Sequence, residues 1–81
     1  MTINLSATGN VAVPAIKLIE DLGFQLTFKN GTFTAQKGMD IFRADDPITL
    51  LGLIKLIEVR GENWHVTDIE IERIGRDYKL L

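Results

Sequence analysis

The chain has 81 residues, of which 46% are hydrophobic and 25% charged, with a net charge of −2 and no cysteine. This hydrophobic content is too high for a disordered chain, and the length suits one small globular domain spanning residues 1–81. The lack of cysteine excludes disulfides, thiolate metal sites and a cysteine nucleophile. Because no apolar run approaches the roughly 20 residues of a membrane helix, we expect a soluble protein without a membrane partner. The lack of cysteine suits a reducing compartment, so we expect the protein to be cytoplasmic.

The first quarter of the sequence predicts a strand, a turn and a helix. Ile3 and Leu5 alternate with polar residues, which is the period of a half-buried strand, so we expect an edge strand before a turn at residues 7–10. Apolar residues then recur at helical spacing through residues 12–22, and Gly23 follows as a left-handed cap. This spacing predicts an amphipathic helix.

The segment FQLTFKNGTFTAQK, residues 24–37, predicts a β-hairpin. Apolar and polar residues alternate on both sides of Asn30-Gly31, the dipeptide favoured in two-residue hairpin loops. A second break at Lys37-Gly38 precedes MDIFRA, which predicts a further antiparallel strand and a meander of three to four strands in all. Three phenylalanines of the hairpin could form a base-stacking platform, but the scarcity of basic charge between them favours core packing; they are Phe24, Phe28 and Phe33.

The stretch DDPITLLGLIKLIEVRG, residues 45–61, predicts a central apolar helix. Asp46 and Pro47 are typical of a helix start and Gly61 of a helix end. A helical wheel places one broad apolar face toward the sheet, formed by Leu50, Leu53, Ile54 and Ile57. A second apolar side also needs cover, which other helices or a second copy of the chain could supply; it comprises Ile48, Leu51, Leu56 and Val59.

Residues 67–75 fit a helix better than a strand. Thr67 and Glu70 match a capping box, although the alternation of Ile69 and Ile71 would also suit a strand. Gly75 is expected to end the helix and leave a tail. The predicted fold class is thus α+β: a small antiparallel meander packed against a central apolar helix, with a preceding amphipathic helix and a shorter C-terminal helix.

The sequence predicts no catalytic, metal or cofactor site. A Ser/His/acid relay would require its one serine, Ser6, to meet its one histidine, His65, which lies in a loop some sixty residues away, so we do not expect one. A metal cluster around the histidine would have to use carboxylates at an unrecognised spacing, namely Glu62, Asp68 and Glu70. The acidic pair Asp45-Asp46 is explained by helix capping.

Three classes of function are left, and the first is a non-catalytic protein-interaction or regulatory module that binds a protein partner or a second copy of itself. Its expected surface is Leu51, Leu56, Val59 and Trp64, although the tryptophan could instead plug the core. The second class is a helix-turn-helix nucleic-acid binder using the two C-terminal helices, which the acidic excess of the last helix disfavours. A small metal-dependent enzyme is the third.

The segment IKLIEDLGFQLTFKNGTFTAQKG, residues 16–38, has the order helix, Leu-Gly and hairpin. In this order it resembles the docking domains at the ends of peptide-synthetase subunits. The chain departs from that pattern by adding the strand MDIFRA. The resemblance implies a role in protein–protein interaction.

Overall fold

The computed structural model describes residues 2–7 and 10–80. The elements in chain order are α1 (Ala12–Asp21), β1 (Gln25–Lys29), β2 (Thr32–Lys37), β3 (Asp40–Ala44), α2 (Pro47–Arg60), a 3-10 turn (Gly61–Asn63) and α3 (Asp68–Asp77). The strands form one antiparallel sheet in the order β1-β2-β3. The predicted α+β fold is confirmed, with three strands. None of the helices in the described residues has the length and apolar character needed to span a bilayer.

The connection from α1 to β1 is a Schellman motif. The Phe24 N–H donates to the Ile19 carbonyl at 3.3 Å, and the Gly23 N–H donates to the Glu20 carbonyl at 2.9 Å. Gly23 has φ 95, a conformation that glycine adopts without the steric cost of a Cβ. The motif directs Phe24 back onto the core that contains Ile19.

The β1–β2 hairpin has the expected two-residue loop. Asn30 and Gly31 have φ values of 53 and 79, as a type I′ turn requires at both central positions. The strands are in register, so that Leu26, Ala35 and Phe42 lie side by side across the sheet. Because side chains alternate along each strand, this row faces the helices and the row beside it faces away.

The core lies between the sheet and the two long helices. Ile19 of α1, Ala35 of β2 and Leu50 and Ile54 of α2 are buried together. Partly buried residues complete it: Phe24, Leu26, Phe33, Phe42, Ala44 and Leu51. The predicted sheet-facing side of α2 is confirmed, since Leu53 and Ile57 on the same side are half-buried.

The start of α2 is capped as predicted. The Asp46 carboxylate accepts from the Thr49 N–H at 2.8 Å and from the Thr49 hydroxyl at 2.7 Å, and Pro47 is the first helical residue. These hydrogen bonds, that from the backbone N–H first, lower the pKa of Asp46 from its usual value. At the other end Gly61 has φ 66 and ends the helix.

The predicted N-terminal edge strand is wrong. Residues 2–6 have no regular secondary structure, and Ile3 and Leu5 are exposed. Two apolar side chains can bury too little surface to offset the conformational entropy lost when a strand is ordered. Of the predicted turn at residues 7–10, positions 8 and 9 lie outside the described residues.

The prediction that Gly75 ends the last helix is also wrong. α3 continues through Gly75, which is buried, to Asp77. The helix ends in a second Schellman motif, in which the Leu80 N–H donates to the Gly75 carbonyl at 2.7 Å and Lys79 has φ 57. A glycine costs a helix interior only about 1 kcal/mol, and the Thr67 capping box helps to offset that cost.

The prediction that Phe28 packs in the core is also wrong. Its side chain is 62% exposed, although its ring lies against that of Phe33, with 4.4 Å between the centroids. Phe28 stands next to the hairpin tip, beyond the residues that pack against the core. Phe24 and Phe33, in contrast, are partly buried against it, as expected.

Candidate functional site

Within the described residues, one flank of helix α2 is only partly covered. Leu50 and Ile54 point into the core, while Leu56 is 36% and Val59 69% exposed. Leu56 is covered in part, in a cleft that it shares with β3, while Val59 is mostly exposed; α3 makes no extended contact with either helix or with the sheet. The second apolar side of α2 that the sequence predicts is therefore only partly covered by the described residues of one copy.

This flank forms one wall of a cleft of about 260 Å³ between β3 and α2, which we call the β3–α2 cleft. Its lining residues are Ile41, Phe42, Arg43, Leu53, Leu56, Ile57 and Trp64. Arg43 is the only charged residue among them. Ile41 and Trp64 are 45% and 43% exposed, so apolar surface continues from the floor of the cleft to its rim.

The Trp64 loop is fixed by the last residue of α2. The Arg60 guanidinium donates through Nε to the Trp64 carbonyl at 3.1 Å and through Nη2 to the His65 carbonyl at 3.3 Å. The rings of Trp64 and His65 are stacked, with 3.7 Å between their centroids. A half-exposed tryptophan is thus held at the end of the cleft, in a position that side-chain and backbone contacts both define.

A larger groove of about 580 Å³ opens beside α2, toward the end of the sheet where β2 turns into β3. Phe24, Phe42 and Ile54 line its apolar part, and Lys37 is among its charged residues. The Lys37 ammonium donates to the Leu22 carbonyl at 2.8 Å and lies 5.6 Å from the centre of the Phe24 ring. Asp40 and Glu58 also line this groove, so it has three charged lining residues where the β3–α2 cleft has one.

The structure brings together only part of the surface predicted from the sequence. Leu56 and Trp64 share the β3–α2 cleft. Leu51 packs against the core and lines a different groove, beside Leu18 of α1, so it does not share a site with them. Val59 is exposed beyond the rim.

Sequence reasoning missed the contribution of β3 to this cleft. Ile41 lies on the side of the sheet that faces away from the helices, where its cross-strand neighbour is Gln36 and the polar Thr34 and Arg43 also point. The sequence signal for this contribution was an apolar residue, Ile41, among polar residues on the outer side of the sheet. The position of Trp64 beside β3, in contrast, follows from the geometry of the chain after Gly61, which no local pattern specifies.

Two of the acidic candidates, Asp46 and Glu70, take part in helix caps. Thr67 donates its backbone N–H to the Glu70 carboxylate at 2.9 Å, and its hydroxyl donates to the same oxygen at 2.9 Å. These contacts, with smaller effects from Arg60 and Arg73, lower the pKa of Glu70. In residues 2–7 and 10–80, no group of three or more His, Cys, Asp or Glu side chains is placed to hold a metal ion.

The exposed surface of α3 carries more acid than base. Its acidic residues are Asp68, Glu70, Glu72 and Asp77, and its basic residues are Arg73 and Arg76. Arg73 forms an ion pair with Asp77 at 3.3 Å. A helix that reads DNA needs free cations toward phosphate, and this surface offers few.

Comparison of the chain with protein-family models, with curated proteins and with solved structures finds no match in any of the three. The resemblance of residues 16–38 to synthetase docking domains therefore stays a prediction.

Proposed function

We propose that this protein is a small, non-catalytic interaction module that binds a protein partner through the β3–α2 cleft and the adjoining flank of α2. The observation that carries the proposal is the half-exposed Trp64 beside Leu56 and Ile41, in a cleft with a single charged residue. Tryptophan in an apolar pocket is the type of residue that dominates binding free energy at protein interfaces.

The size of the cleft limits what it can bind alone. Covering the exposed parts of Ile41, Leu56 and Trp64 removes on the order of 250 Å² of apolar surface from water, which at ~25 cal/mol/Å² contributes about 6 kcal/mol. Association itself costs an estimated 4–15 kcal/mol. A partner confined to the cleft therefore binds weakly, and a stable complex must also cover neighbouring surface such as Val59.

A random peptide library displayed on phage tests the proposal directly. Panning against the protein at low concentration is expected to enrich peptides with aromatic and aliphatic residues. Leu56→Lys should weaken their binding at least about tenfold, because it places an ammonium group in the apolar wall of the cleft. Affinities are measured by titration of labelled peptides, with the shift of Trp64 fluorescence as a second readout.

Val13→Lys is the matched control, since Val13 is an exposed aliphatic residue of α1 that lines no part of the cleft. Enriched peptides should bind this variant as they bind the parent chain. Peptides that bind the Leu56 and Val13 variants equally would contradict the proposed site. A monomeric chain that enriches no peptide at all would contradict the proposed function.

A further inference from the structure

We propose that the partner covering the β3–α2 cleft is a second copy of this chain, paired through the free edge of β3 in an antiparallel, two-fold symmetric dimer with a continuous six-stranded sheet. This inference rests on the proposed function and specifies its partner. Three features of the described residues support it: the open edge of β3, the position of α2 above that edge, and the low number of charges on the patch, where Arg43 is the one charged lining residue.

The edge of β3 carries hydrogen-bonding groups that no strand of the described residues uses. β3 pairs only with β2, and the two-residue loop makes Lys37 and Asp40 the hydrogen-bonded pair that closes the hairpin. Hydrogen bonding then alternates along the strand. The N–H and C=O groups of Asp40, Phe42 and Ala44 point toward β2, whereas those of Ile41 and Arg43 point to the open edge.

A second copy would cover both parts of the exposed patch, the sheet edge at β3 and the flank of α2 above it. α2 packs on β2 and β3, so a two-fold axis beside β3 brings the Leu56 flank of each α2 toward that of the other copy. An extended peptide on the same edge would reach Ile41 and Trp64. It would bring no second layer to cover Val59 and the outer side of Leu56.

The charges and the length of β3 favour one register. The strand Asp40–Ala44 is centred on Phe42, so an axis through Phe42 gives full overlap and pairs Ile41 of each copy with Arg43 of the other. In this register four backbone hydrogen bonds form across the axis. An axis through Arg43 would place two guanidinium groups directly opposite each other, which is destabilising.

The area is sufficient when it is counted on both copies. Ile41, Leu56, Val59 and Trp64 are 45%, 36%, 69% and 43% exposed, which together leaves on the order of 400 Å² of apolar surface to bury. A symmetric contact doubles this value and adds the backbone of two strands, so it removes on the order of 1,000 Å² from water. That total reaches the lower limit for a specific protein interface.

Sedimentation equilibrium across a concentration series tests the inference. The parent chain should behave as a dimer at high concentration and dissociate on dilution. Ile41→Pro should abolish the dimer, because proline removes a donor that faces the open edge and not one used by β2. Phe28→Pro is the matched control: the Phe28 N–H faces the open edge of β1 by the same alternation, so this variant should still dimerise.

Leu56→Lys provides a second variant that leaves the strand backbone unchanged, and it should weaken the dimer at least about tenfold. A parent chain that stays monomeric at millimolar concentration overturns the inference. So does a dimer that survives Ile41→Pro in a folded chain. If the chain is monomeric but peptides selected by panning bind the cleft, the proposed function stands without the dimer; if neither a second copy nor a peptide binds there, both proposals fail.

Discussion

The α1–sheet–α2 body and helix α3 are built by the same chain in different ways. In the body, local signals and burial agree: the Asp46 cap starts a helix whose Leu50 and Ile54 are then buried against the sheet. In α3, the local signals are as good, with a complete capping box at Thr67. Yet Ile69 is 79% exposed and the helix makes no extended contact with the body. Caps therefore define where a helix forms, while burial decides how much it contributes to the stability of the fold.

The largest expected effect is at the centre of the body. Leu50→Ala should lower the free energy of unfolding by about 2–5 kcal/mol, because it leaves a cavity at a fully buried position. This loss is a large part of the 5–15 kcal/mol of an ordinary domain. Urea denaturation followed by circular dichroism measures it. Ile69→Ala in α3 is the control and should change the value by less than about 0.5 kcal/mol.

Removal of α3 should affect the body less than that single substitution. A chain that stops after Val66 loses ten helical residues, but we expect its urea midpoint to change by an amount equivalent to about 1 kcal/mol or less, as for other changes outside a core. Circular dichroism should report the lost helix, while Trp64 fluorescence follows the unfolding of the body. Collapse of the shortened chain would show that α3 is part of the core.

The end of α3 can be stabilised without changing the body. Lys79 has φ 57, a left-handed conformation that costs a residue with a Cβ about 1–2 kcal/mol. Lys79→Gly should remove most of that cost and slow amide exchange in the last turn of α3, with little effect on global unfolding. Lys79→Ala, which removes the charge but keeps the Cβ, should not slow exchange. Equal effects of the two substitutions would contradict the explanation from backbone conformation.

The smallest expected effect is a dependence of stability on pH at the start of α2. The pKa of Asp46 is lowered in the folded chain by the hydrogen bonds from Thr49. Its contribution is therefore fully present above the unfolded pKa and is lost as the pH falls through the lower, folded value. Asp46→Asn keeps a capping side chain that does not titrate, and it should remove this part of the acid dependence. Urea midpoints measured between pH 6 and pH 3 give the comparison.

Local chemistry was sufficient to predict most of the fold. Asn30-Gly31, Asp46-Pro47 and Thr67 each specify a loop or a helix start through contacts within a few residues, and each is found where it was predicted. Phe28 was assigned wrongly because alternation says which side of a strand a residue faces and not whether another element covers that side. Ile3 was assigned wrongly because the alternating segment is too short to bury the surface that would stabilise a strand.

Part of the candidate site could likewise be predicted from the sequence, and part could not. The helical wheel identified Leu56 as a residue in need of cover, since its angle around α2 is fixed by the sequence. The wheel could not separate Leu56 from Leu51, because the separation depends on where α1 packs. The edge of β3 was missed for a related reason: an edge exists only once the order of the strands is known.

Amide hydrogen exchange at the two open edges of the sheet tests the central claim most directly. At a concentration where the chain is dimeric, the Ile41 and Arg43 amides should be as strongly protected as the Ala35 amide, which forms a hydrogen bond within the sheet. The protection of the Ile41 and Arg43 amides should fall on dilution. The Leu26 and Phe28 amides on the edge of β1 should exchange rapidly at every concentration. Equally rapid exchange of the Ile41 and Arg43 amides in concentrated protein would contradict pairing through β3.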